Sequence, residues 1–273
     1  MPAVLNINRE TDYSKGMNDT FPPEHLTRGY VADALNCFIR SQELVKRTGY
    51  TIIGNDLGSA AGQSLKGVRF ANGTKRTYAV FNGAVYSWTG SGSWTSLGGT
   101  LATSGIVQIV VANNNVYFFD GANTVVKVNS ANTLSTVAAI PIGQGAAWFH
   151  NMMFVYGGSG APNDIRISNI GDPEDYSTGT ATTIAVNPND GDYVTALSNL
   201  NDELIVFKTQ RIWSISGFST TTLTVNNLNV NLSGVGTISP LSVVSAGNNL
   251  YYLGFLGDVP HIRLLQKTSF GTI

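Results

Sequence analysis

A short unit recurs five times in this sequence: a turn containing Asn, followed by an apolar strand rich in aromatic residues. The five copies begin at Asn82, Asn114, Asn151, Asn201 and Asn249. The steps between these positions are 32, 37, 50 and 48 residues, which scatter around the roughly forty residues typical of several structural repeats. The recurrence predicts a fold assembled from similar supersecondary units, each packed against its neighbours.

Between these turns the sequence favours strands over helices. From about Gly67 onward, short runs of β-branched and aromatic residues alternate with clusters of Asn, Gly and Ser. A helical repeat of similar period would need amphipathic stretches of about ten or more residues, whereas residues 106–112 read Ile-Val-Gln-Ile-Val-Val-Ala. We therefore predict an all-β protein, a β-propeller built from about five short repeats of antiparallel strands.

Packing between blades explains the aromatic residues of the repeats. One twisted four-stranded sheet cannot bury both of its faces alone, so neighbouring blades cover one another around an axis. We assign this packing role to Tyr86, Trp88, Phe118, Phe119, Trp213 and Tyr252. Only residues 254–273 follow the fifth copy, so the last blade is expected to be short. Completion of the propeller by the N-terminal segment, by a partner chain or by residues outside this sequence is left open.

The first 65 residues differ from the rest. Dense charge lies in residues 9–12 and 43–47, and we predict an irregular N-terminal arm over 1–65 that carries at most one short helix, followed by the propeller over 66–273. The helix is predicted over residues 27–39, where apolar residues recur at intervals of three and four after Pro22 and Pro23. A strand would suit Val31 and residues 37–39 equally well.

Composition excludes several functional classes. Charged residues make up 12% of the chain, the formal net charge is −1 and the pI is near 6.3, so no broad basic face for nucleic acid or anionic lipid is expected. No segment approaches the length of a membrane span, and the N-terminus does not read as a signal peptide. A single cysteine, Cys37, rules out an intramolecular disulfide and is predicted to be a small buried apolar residue.

The sequence shows no catalytic, cofactor-binding or metal-binding constellation. His25, His150 and His261 lie in different units without a second ligand at metal spacing. The glycine-rich stretch at residues 157–160 lacks the strand-turn-helix setting of a nucleophile elbow and is interpreted as a flexible loop. Gly90-Ser-Gly92 lies between two tryptophans and is interpreted as a hairpin turn. We predict that the protein is not an enzyme and needs no cofactor.

Two acidic turns present several oxygen ligands within a few residues: Asp172-Pro-Glu-Asp175 and Asn187-Pro-Asn-Asp-Gly-Asp192. Such clusters can bind calcium. Neither matches the twelve-residue calcium loop, and Asp, Asn, Pro and Gly are the ordinary residues of tight turns. A plain turn is therefore the favoured interpretation of both.

Four segments resemble virion proteins of tailed bacteriophages that contain β-propeller domains. Near the N-terminus these are residues 21–36, which begin Phe-Pro-Pro-Glu-His-Leu, and residues 44–50, Leu-Val-Lys-Arg-Thr-Gly-Tyr. Residues 168–176, Ser-Asn-Ile-Gly-Asp-Pro-Glu-Asp-Tyr, and residues 200–217 are similar to the same family. The resemblance lies in the residues of the matched segments and in their order along the chain, and it involves no catalytic motif.

The resemblance implies a structural component of a phage tail or neck, such as a tail nozzle or tube protein, that forms a homo-oligomeric ring and takes part in virion assembly and genome delivery. Its expected partners are other tail or neck proteins, without membrane or sequence-specific nucleic acid binding. Its expected location is the virion tail, after assembly in the host cytoplasm. Relatives of the nozzle type are usually much longer than 273 residues.

The N-terminal arm is the expected docking segment, with Phe21, Pro22, Pro23 and Tyr30 as candidate partner contacts. Packing of the arm on its own propeller is the alternative. A different functional class also remains open, a carbohydrate-binding propeller acting as a lectin or receptor-binding module. In that case Trp88, Trp94 or Trp213 would stack on sugar rings.

Overall fold

The structure is a computed structural model, and it describes residues 15–17, 25, 30–31, 37–40, 43–46, 52–217, 219, 221–228, 234–256, 259–268 and 271–272. The chain forms two compact units, Met1–Ile52 and Ile53–Ile273. The division predicted near residue 65 falls inside the first strand of the second unit, Gly62–Arg69.

The first unit contains two strand pairs among its described residues. Strand β1 (Gly16–Met17) pairs in parallel with β2 (Tyr30–Val31), and β3 (Cys37–Arg40) pairs antiparallel with β4 (Glu43–Lys46). The helix predicted over residues 27–39 is therefore wrong at residues 30–31 and 37–39. The β-branched and aromatic residues there suit a pleated strand, and pairing with β4 satisfies the backbone of β3. Cys37 is partly exposed, contrary to the prediction of burial.

The second unit is a five-bladed β-propeller, as predicted. Each blade is an antiparallel sheet of four strands that follow one another along the chain. Blade 1 contains β5 (Gly62–Arg69), β6 (Lys75–Phe81), β7 (Ala84–Trp88) and β8 (Thr95–Gly98). Blade 2 contains β9 (Gln108–Ala112), β10 (Asn115–Phe119), β11 (Val125–Val128) and β12 (Leu134–Val137). Blade 3 contains β13 (Gly145–Phe149), β14 (Met152–Gly158), β15 (Ala161–Ile167) and β16 (Thr182–Ala185).

Blades 4 and 5 complete the described propeller. Blade 4 contains β17 (Val194–Leu200), β18 (Glu203–Lys208), β19 (Ile212–Ser216) and β20 (Thr224–Asn227). Blade 5 contains β21 (Val244–Ala246), β22 (Asn249–Leu256), β23 (Val259–Thr268) and β24 (Gly271–Thr272), and a single-turn 3-10 helix, Pro240–Ser242, precedes it. The first strands of successive blades, β5, β9, β13, β17 and β21, contact one another in turn. They therefore form the inner wall of the propeller.

Asparagine at positive φ closes the predicted turns. Asn114, Asn151 and Asn201 have φ of 60°, 58° and 55°, and each lies between the first and second strands of a blade. Asn82, with φ of 49°, lies instead between the second and third strands of blade 1. The first hairpin of that blade turns at Asn72 and Gly73, 42 residues before Asn114. The step of 32 residues from Asn82 to Asn114 is therefore short because Asn82 marks the second hairpin of blade 1 and Asn114 marks the first hairpin of blade 2.

Four apolar cores, built from residues that the structure describes, join the five blades. The alternation of side chains along each strand sends one set of residues to the preceding blade and the other set to the following blade. In β10, Val116 and Phe118 pack against blade 1, whereas Tyr117 and Phe119 pack against blade 3. Similar cores join blade 3 to blade 4 and blade 4 to blade 5. Among the described residues, no such core joins blade 5 to blade 1.

Polar side chains reinforce the joints near the inner wall. Gln63 is buried, donates from Nε2 to the carbonyl of Ala102 at 2.7 Å and accepts from the backbone N–H of Gly83 at 2.7 Å. Lys66 donates to the carbonyl of Ile109 in blade 2 at 2.8 Å, and burial lowers the pKa of its ammonium group. The strands of the inner wall are thus linked by side-chain hydrogen bonds as well as by apolar packing.

Candidate functional site

The outer face of blade 5 carries five apolar side chains that no described blade covers. Val244, Tyr251 and Leu264 are paired neighbours across β21, β22 and β23, and Leu253 pairs with Ile262 in the adjacent row. Because paired residues of an antiparallel sheet lie on the same face, these five side chains form one patch. We call this patch the blade 5 face.

Exposure separates the blade 5 face from the corresponding positions of blade 2. Tyr117 of β10 and Val125 of β11 are at most 1% exposed because blade 3 packs over them. On the blade 5 face, Tyr251 is 39% exposed and Ile262 is 81% exposed. The opposite face of the same sheet is covered normally, since Leu250, Tyr252 and Leu265 lie in the core shared with blade 4. Both faces of blade 5 thus carry apolar side chains, as in a blade that has a neighbour on each side. Among the described residues, however, only the face toward blade 4 is packed in a core.

Blade 1 carries a second unusual surface, a cleft of about 430 Å³. We call it the blade 1 cleft, and its lining includes Arg69, Lys75, Thr77, Trp88 and Thr89. Strand pairing places Gly67 opposite Thr77 and Thr77 opposite Trp88, so these three positions share one face of the sheet. Gly67 forms a hollow in this surface, because no atom lies within 4 Å of the place that a Cβ would occupy.

The electrostatic environment of the blade 1 cleft is positive. Arg69 and Lys75 are exposed and lie directly opposite each other in the β5–β6 pairing. Between Leu57 and Phe119 the sequence contains four Lys or Arg residues and no Asp or Glu. Like charges directly opposite each other in a sheet are destabilising, so the pair has a cost that a bound anion would offset.

Trp88 is fixed in place at one wall of the cleft. Its Nε1 donates to the carbonyl of Gly92 at 2.9 Å, and its ring centroid lies 5.9 Å from that of Trp94. Trp94 is held in turn, since its Nε1 donates to the carbonyl of Ile53 at 3.0 Å. Trp213, the other predicted sugar platform, packs against the core between blades 3 and 4. The structure therefore leaves Trp88 and Trp94 together and places Trp213 elsewhere.

The inter-blade assignment of aromatic residues holds for four of the six. Phe118, Phe119 and Tyr252 are buried in three different cores, and Trp213 packs against a fourth. Tyr86 and Trp88 belong to none of the four cores found among the described residues. The pairing of Ala79 with Tyr86 and of Thr77 with Trp88 places both on the face of blade 1 that is turned away from blade 2.

The first acidic turn, at residues 172–175, links blade 3 to blade 2. The carboxylate of Glu174 accepts from the Tyr117 hydroxyl and from the Lys127 ammonium group, both at 2.8 Å. The carboxylate of Asp175 accepts from Thr178, from the N–H of Ser177 and from Asn169, and the Thr178 hydrogen bond is the largest of the effects that lower the pKa of Asp175 to about 2. These oxygens serve the protein's own donors, which agrees with a plain turn.

The second acidic turn, at residues 187–192, is organised around a buried lysine. Both carboxylate oxygens of Asp190 accept from the Lys208 ammonium group at 2.9 Å. The carboxylate of Asp192 accepts from the backbone N–H groups of Tyr193, Thr209 and Gln210. Within the described ranges, no group of three or more His, Cys, Asp or Glu residues is arranged to hold a metal ion.

The remaining sequence candidates do not converge on one place. The ring of His150 lies tilted by 60° against that of Phe149, with centroids 3.9 Å apart, and His261 is exposed on β23. Residues 157–160 turn the hairpin between β14 and β15, with Gly158 paired to Ala161. Phe21, Pro22 and Pro23 lie outside the described residues, and Tyr30 is described only as part of the backbone of β2. No helix in the described part of the chain could span a membrane.

Sequence reasoning named Trp88 as a possible sugar platform but did not identify the rest of the blade 1 cleft or the blade 5 face, although each surface left a signal. The alternating apolar residues of β22 and β23 predict an apolar surface on both faces of blade 5. The run without Asp or Glu from Leu57 to Phe119 indicates a positive blade within a chain of net charge −1. Neither signal specifies which side chains meet, because that depends on strand register.

The described second unit thus belongs to the β-propeller class, and comparisons with known proteins agree on the fold alone. No protein-family profile matches the sequence, and no curated protein matches it. Among solved structures, the extracellular domain of a B. thetaiotaomicron protein described as a hybrid two-component system has a TM-score of 0.50 and 14% identity, over 78% of this chain and 29% of that chain. Virginiamycin B lyase from Staphylococcus aureus has a TM-score of 0.48 and 13% identity, over 76% of this chain and 72% of the lyase chain.

A third structural neighbour is AztD from Citrobacter koseri, with a TM-score of 0.46 and 13% identity. This match spans 76% of the present chain and 60% of the AztD chain. These neighbours are bacterial proteins of different kinds. The resemblance to phage virion proteins gains no support from them, and they indicate no particular activity for this chain.

Proposed function

We propose that the protein is a non-catalytic structural component of a bacteriophage tail or neck, which assembles with further copies of itself into a ring and takes part in virion assembly and genome delivery. The observation that carries this proposal is the blade 5 face, an ordered apolar sheet surface left exposed at the end of the blade series.

Its chemistry suits a permanent protein contact. Val244, Tyr251, Leu253, Ile262 and Leu264 carry no charge, so removing the patch from water needs no desolvation of ions. Burial of such side chains is worth roughly 25 cal/mol per Å² of apolar area. A closed ring forms when the blade 5 face of each copy contacts a different surface of the next copy, and this heterologous contact repeats around a symmetry axis.

Assignment to a phage particle is supported by the sequence. Four segments resemble propeller-containing virion proteins in their residues and in their order along the chain: 21–36, 44–50, 168–176 and 200–217. The low share of charged residues, 12%, also suits a subunit that buries surface permanently in an assembly.

The assembly part is tested by the mass of the full-length protein in solution, measured by light scattering. We expect a multi-subunit species for the wild type and a monomer for Ile262→Asp. The matched control is Val259→Asp on the same strand, because Val259 is 56% exposed but alternation places it on the opposite face. A monomeric wild type, or equal behaviour of the two variants, would contradict assembly through the blade 5 face.

The phage part needs a separate measurement. Tagged protein is mixed with a lysate of cells that produce particles of a tailed phage lacking its tail or neck proteins, and particles are then sedimented. Recruitment of the wild type, together with loss of recruitment for Ile262→Asp, supports the proposal. A ring that never joins a particle from any tested phage would retain the assembly role and overturn the assignment to a virion.

A carbohydrate-binding role is favoured by a different observation, the blade 1 cleft. This cleft lies on a different blade from the proposed assembly surface.

A further inference from the structure

We propose that the blade 1 cleft is a binding site for an acidic saccharide, in which Trp88 stacks on a sugar ring while Arg69 and Lys75 hold its carboxylate or phosphate group. The proposal does not rest on the assembly role, because the cleft lies on blade 1 and the proposed assembly surface lies on blade 5.

The shape of the cleft fits a small, ring-shaped ligand. Its volume of about 430 Å³ lies within the range of small-molecule sites. The floor is open where Gly67 lacks a side chain, and neighbouring Thr77 supplies a hydroxyl group that can bond a sugar hydroxyl. A flat ligand can therefore approach the backbone of β5 with the Trp88 ring beside it.

Trp88 is preorganised for stacking. The hydrogen bond to Gly92 and the contact with Trp94 fix the ring before any ligand arrives. A side chain that is already ordered loses little conformational entropy on binding. Aromatic rings offer sugars an apolar face, and a fixed ring also sets the orientation of the ligand.

The charge of the cleft selects an anionic ligand. Arg69 and Lys75 project from opposed positions of two adjacent strands, and no ion pair to either is found within the described residues. A carboxylate or phosphate between them would accept charge-assisted hydrogen bonds from both and offset their mutual repulsion. A neutral saccharide would gain only the stacking and the hydroxyl contact.

A saccharide fits these features better than a nucleic acid strand. Single-stranded nucleic acid is bound by grooves that follow the backbone with a series of cations and aromatic platforms. The blade 1 cleft is local and has one tryptophan, Trp88, among its lining residues. The net charge of the whole chain is −1. Its dimensions suit one or two sugar rings instead of an extended strand.

Isothermal titration of the full chain at low ionic strength tests the proposal. The probes are trigalacturonate, 3′-sialyllactose and a heparin tetrasaccharide, with neutral maltotriose and oligo(dT) as comparisons. We expect at least one acidic saccharide to bind at least tenfold more tightly than maltotriose and oligo(dT). Absence of binding by all three acidic probes, or tighter binding of oligo(dT), overturns the proposal.

Two glycines of β5 provide a matched pair of variants. Gly67→Val fills the floor of the cleft, and Gly62→Val adds the same side chain at an exposed position outside it. Neither new Cβ would meet an atom within 4 Å, so both proteins are expected to fold. Gly67→Val should weaken acidic saccharide binding at least tenfold while Gly62→Val leaves it unchanged. Equal effects would place the binding elsewhere.

A charge variant keeps the test decisive if Gly67→Val does not fold. Arg69→Gln with Lys75→Gln alters two exposed side chains and preserves the hollow. We expect this variant to lose the preference for acidic over neutral probes. Retention of the preference would show that other cations recognise the anion and would overturn the proposed site.

Discussion

The ammonium group of Lys208 lies 2.9 Å from both carboxylate oxygens of Asp190, at a position where the Lys208 side chain is fully buried. The same ammonium group donates to the carbonyl of Asn187 at 3.1 Å. All three of its donors are therefore used, which is the condition under which a buried charge is tolerated. The contact ties the end of β18 to the turn that enters blade 4.

Removal of one partner should be costly. Lys208→Met leaves the buried Asp190 carboxylate without its main partner, and we expect the free energy of unfolding to fall by about 3 kcal/mol. Lys127→Met breaks the partly exposed contact with Glu174 at 2.8 Å and should cost about 1 kcal/mol or less. Urea denaturation measures both. Equal losses would show that the Lys208–Asp190 pair is no more important than a surface pair.

Asp190 and Asp120 should make the protein sensitive to acid. Burial alone would raise the pKa of each carboxyl, but the hydrogen bonds from Lys208 to Asp190, and from Asn123, Ala122 and Ala102 to Asp120, outweigh it and hold both pKa values below the usual range. Their contribution is present above the pKa of an unfolded Asp, near 3.9, and is lost as the pH falls through the lower folded pKa.

We therefore expect the free energy of unfolding to decrease below about pH 4. Asp190→Asn should lower stability at pH 7 and flatten the decrease on the acid side, because the substituted group no longer titrates. Urea denaturation from pH 3 to pH 7 checks both statements. A wild type and an Asp190→Asn variant with parallel pH profiles would assign the acid sensitivity to other groups.

Gly83 is required by two independent constraints, whereas Gly73 meets only one. Gly83 has φ of +75° and a Cβ there would lie 2.5 Å from the carbonyl oxygen of Leu101; Gly73 has φ of +83° and open space around it. We expect Gly73→Ala to cost about 1 kcal/mol from backbone strain alone, and Gly83→Ala to cost at least about 2 kcal/mol more. Thermal unfolding of the two variants gives the comparison, and similar losses would contradict the contact with Leu101.

An aromatic residue in the core between blades 1 and 2 should contribute more to stability than one on the face of blade 1 that is turned away from blade 2. Phe118 is fully buried with its ring 6.1 Å from that of Tyr78, so Phe118→Ala should cost about 4 kcal/mol. Tyr86 lies outside the inter-blade cores, and Tyr86→Ala should cost about 1 kcal/mol. Denaturant unfolding distinguishes them. A large loss for Tyr86→Ala would show that the face of blade 1 away from blade 2 is also a packed interface.

The sheet architecture could be predicted because turn chemistry and strand composition agree along the chain. Asn-containing turns mark the first hairpin of three blades in an unambiguous way, at Asn114, Asn151 and Asn201. Blade 1 has an Asn-Gly pair in two successive hairpins, at Asn72 and Asn82, and nothing local distinguishes them. Only the pairing of β5 with β6 shows which hairpin opens the blade.

The two surfaces could not be predicted for a related reason. Gly67, Thr77 and Trp88 come from three strands, and a shift of one residue in register would move them to different faces. Ile262 and Leu264 look like core residues in the sequence, because apolar alternation does not reveal whether a neighbour covers a face. The predicted helix is wrong at residues 30–31 and 37–39 because short apolar stretches satisfy helical and strand periodicity alike.

In the described part of the chain, four cores join the five blades into a series of nearest-neighbour contacts with two ends. Counting only these described cores, blades 2, 3 and 4 are each stabilised from both sides, whereas blades 1 and 5 are each held by one core. In such a series local opening begins at the ends and progresses inward, so backbone amides of β14 in blade 3 should exchange with solvent later than those of β22 in blade 5. A terminal blade can then unfold locally while the other blades stay folded. A partner that covers the blade 5 face would suppress this local unfolding at blade 5.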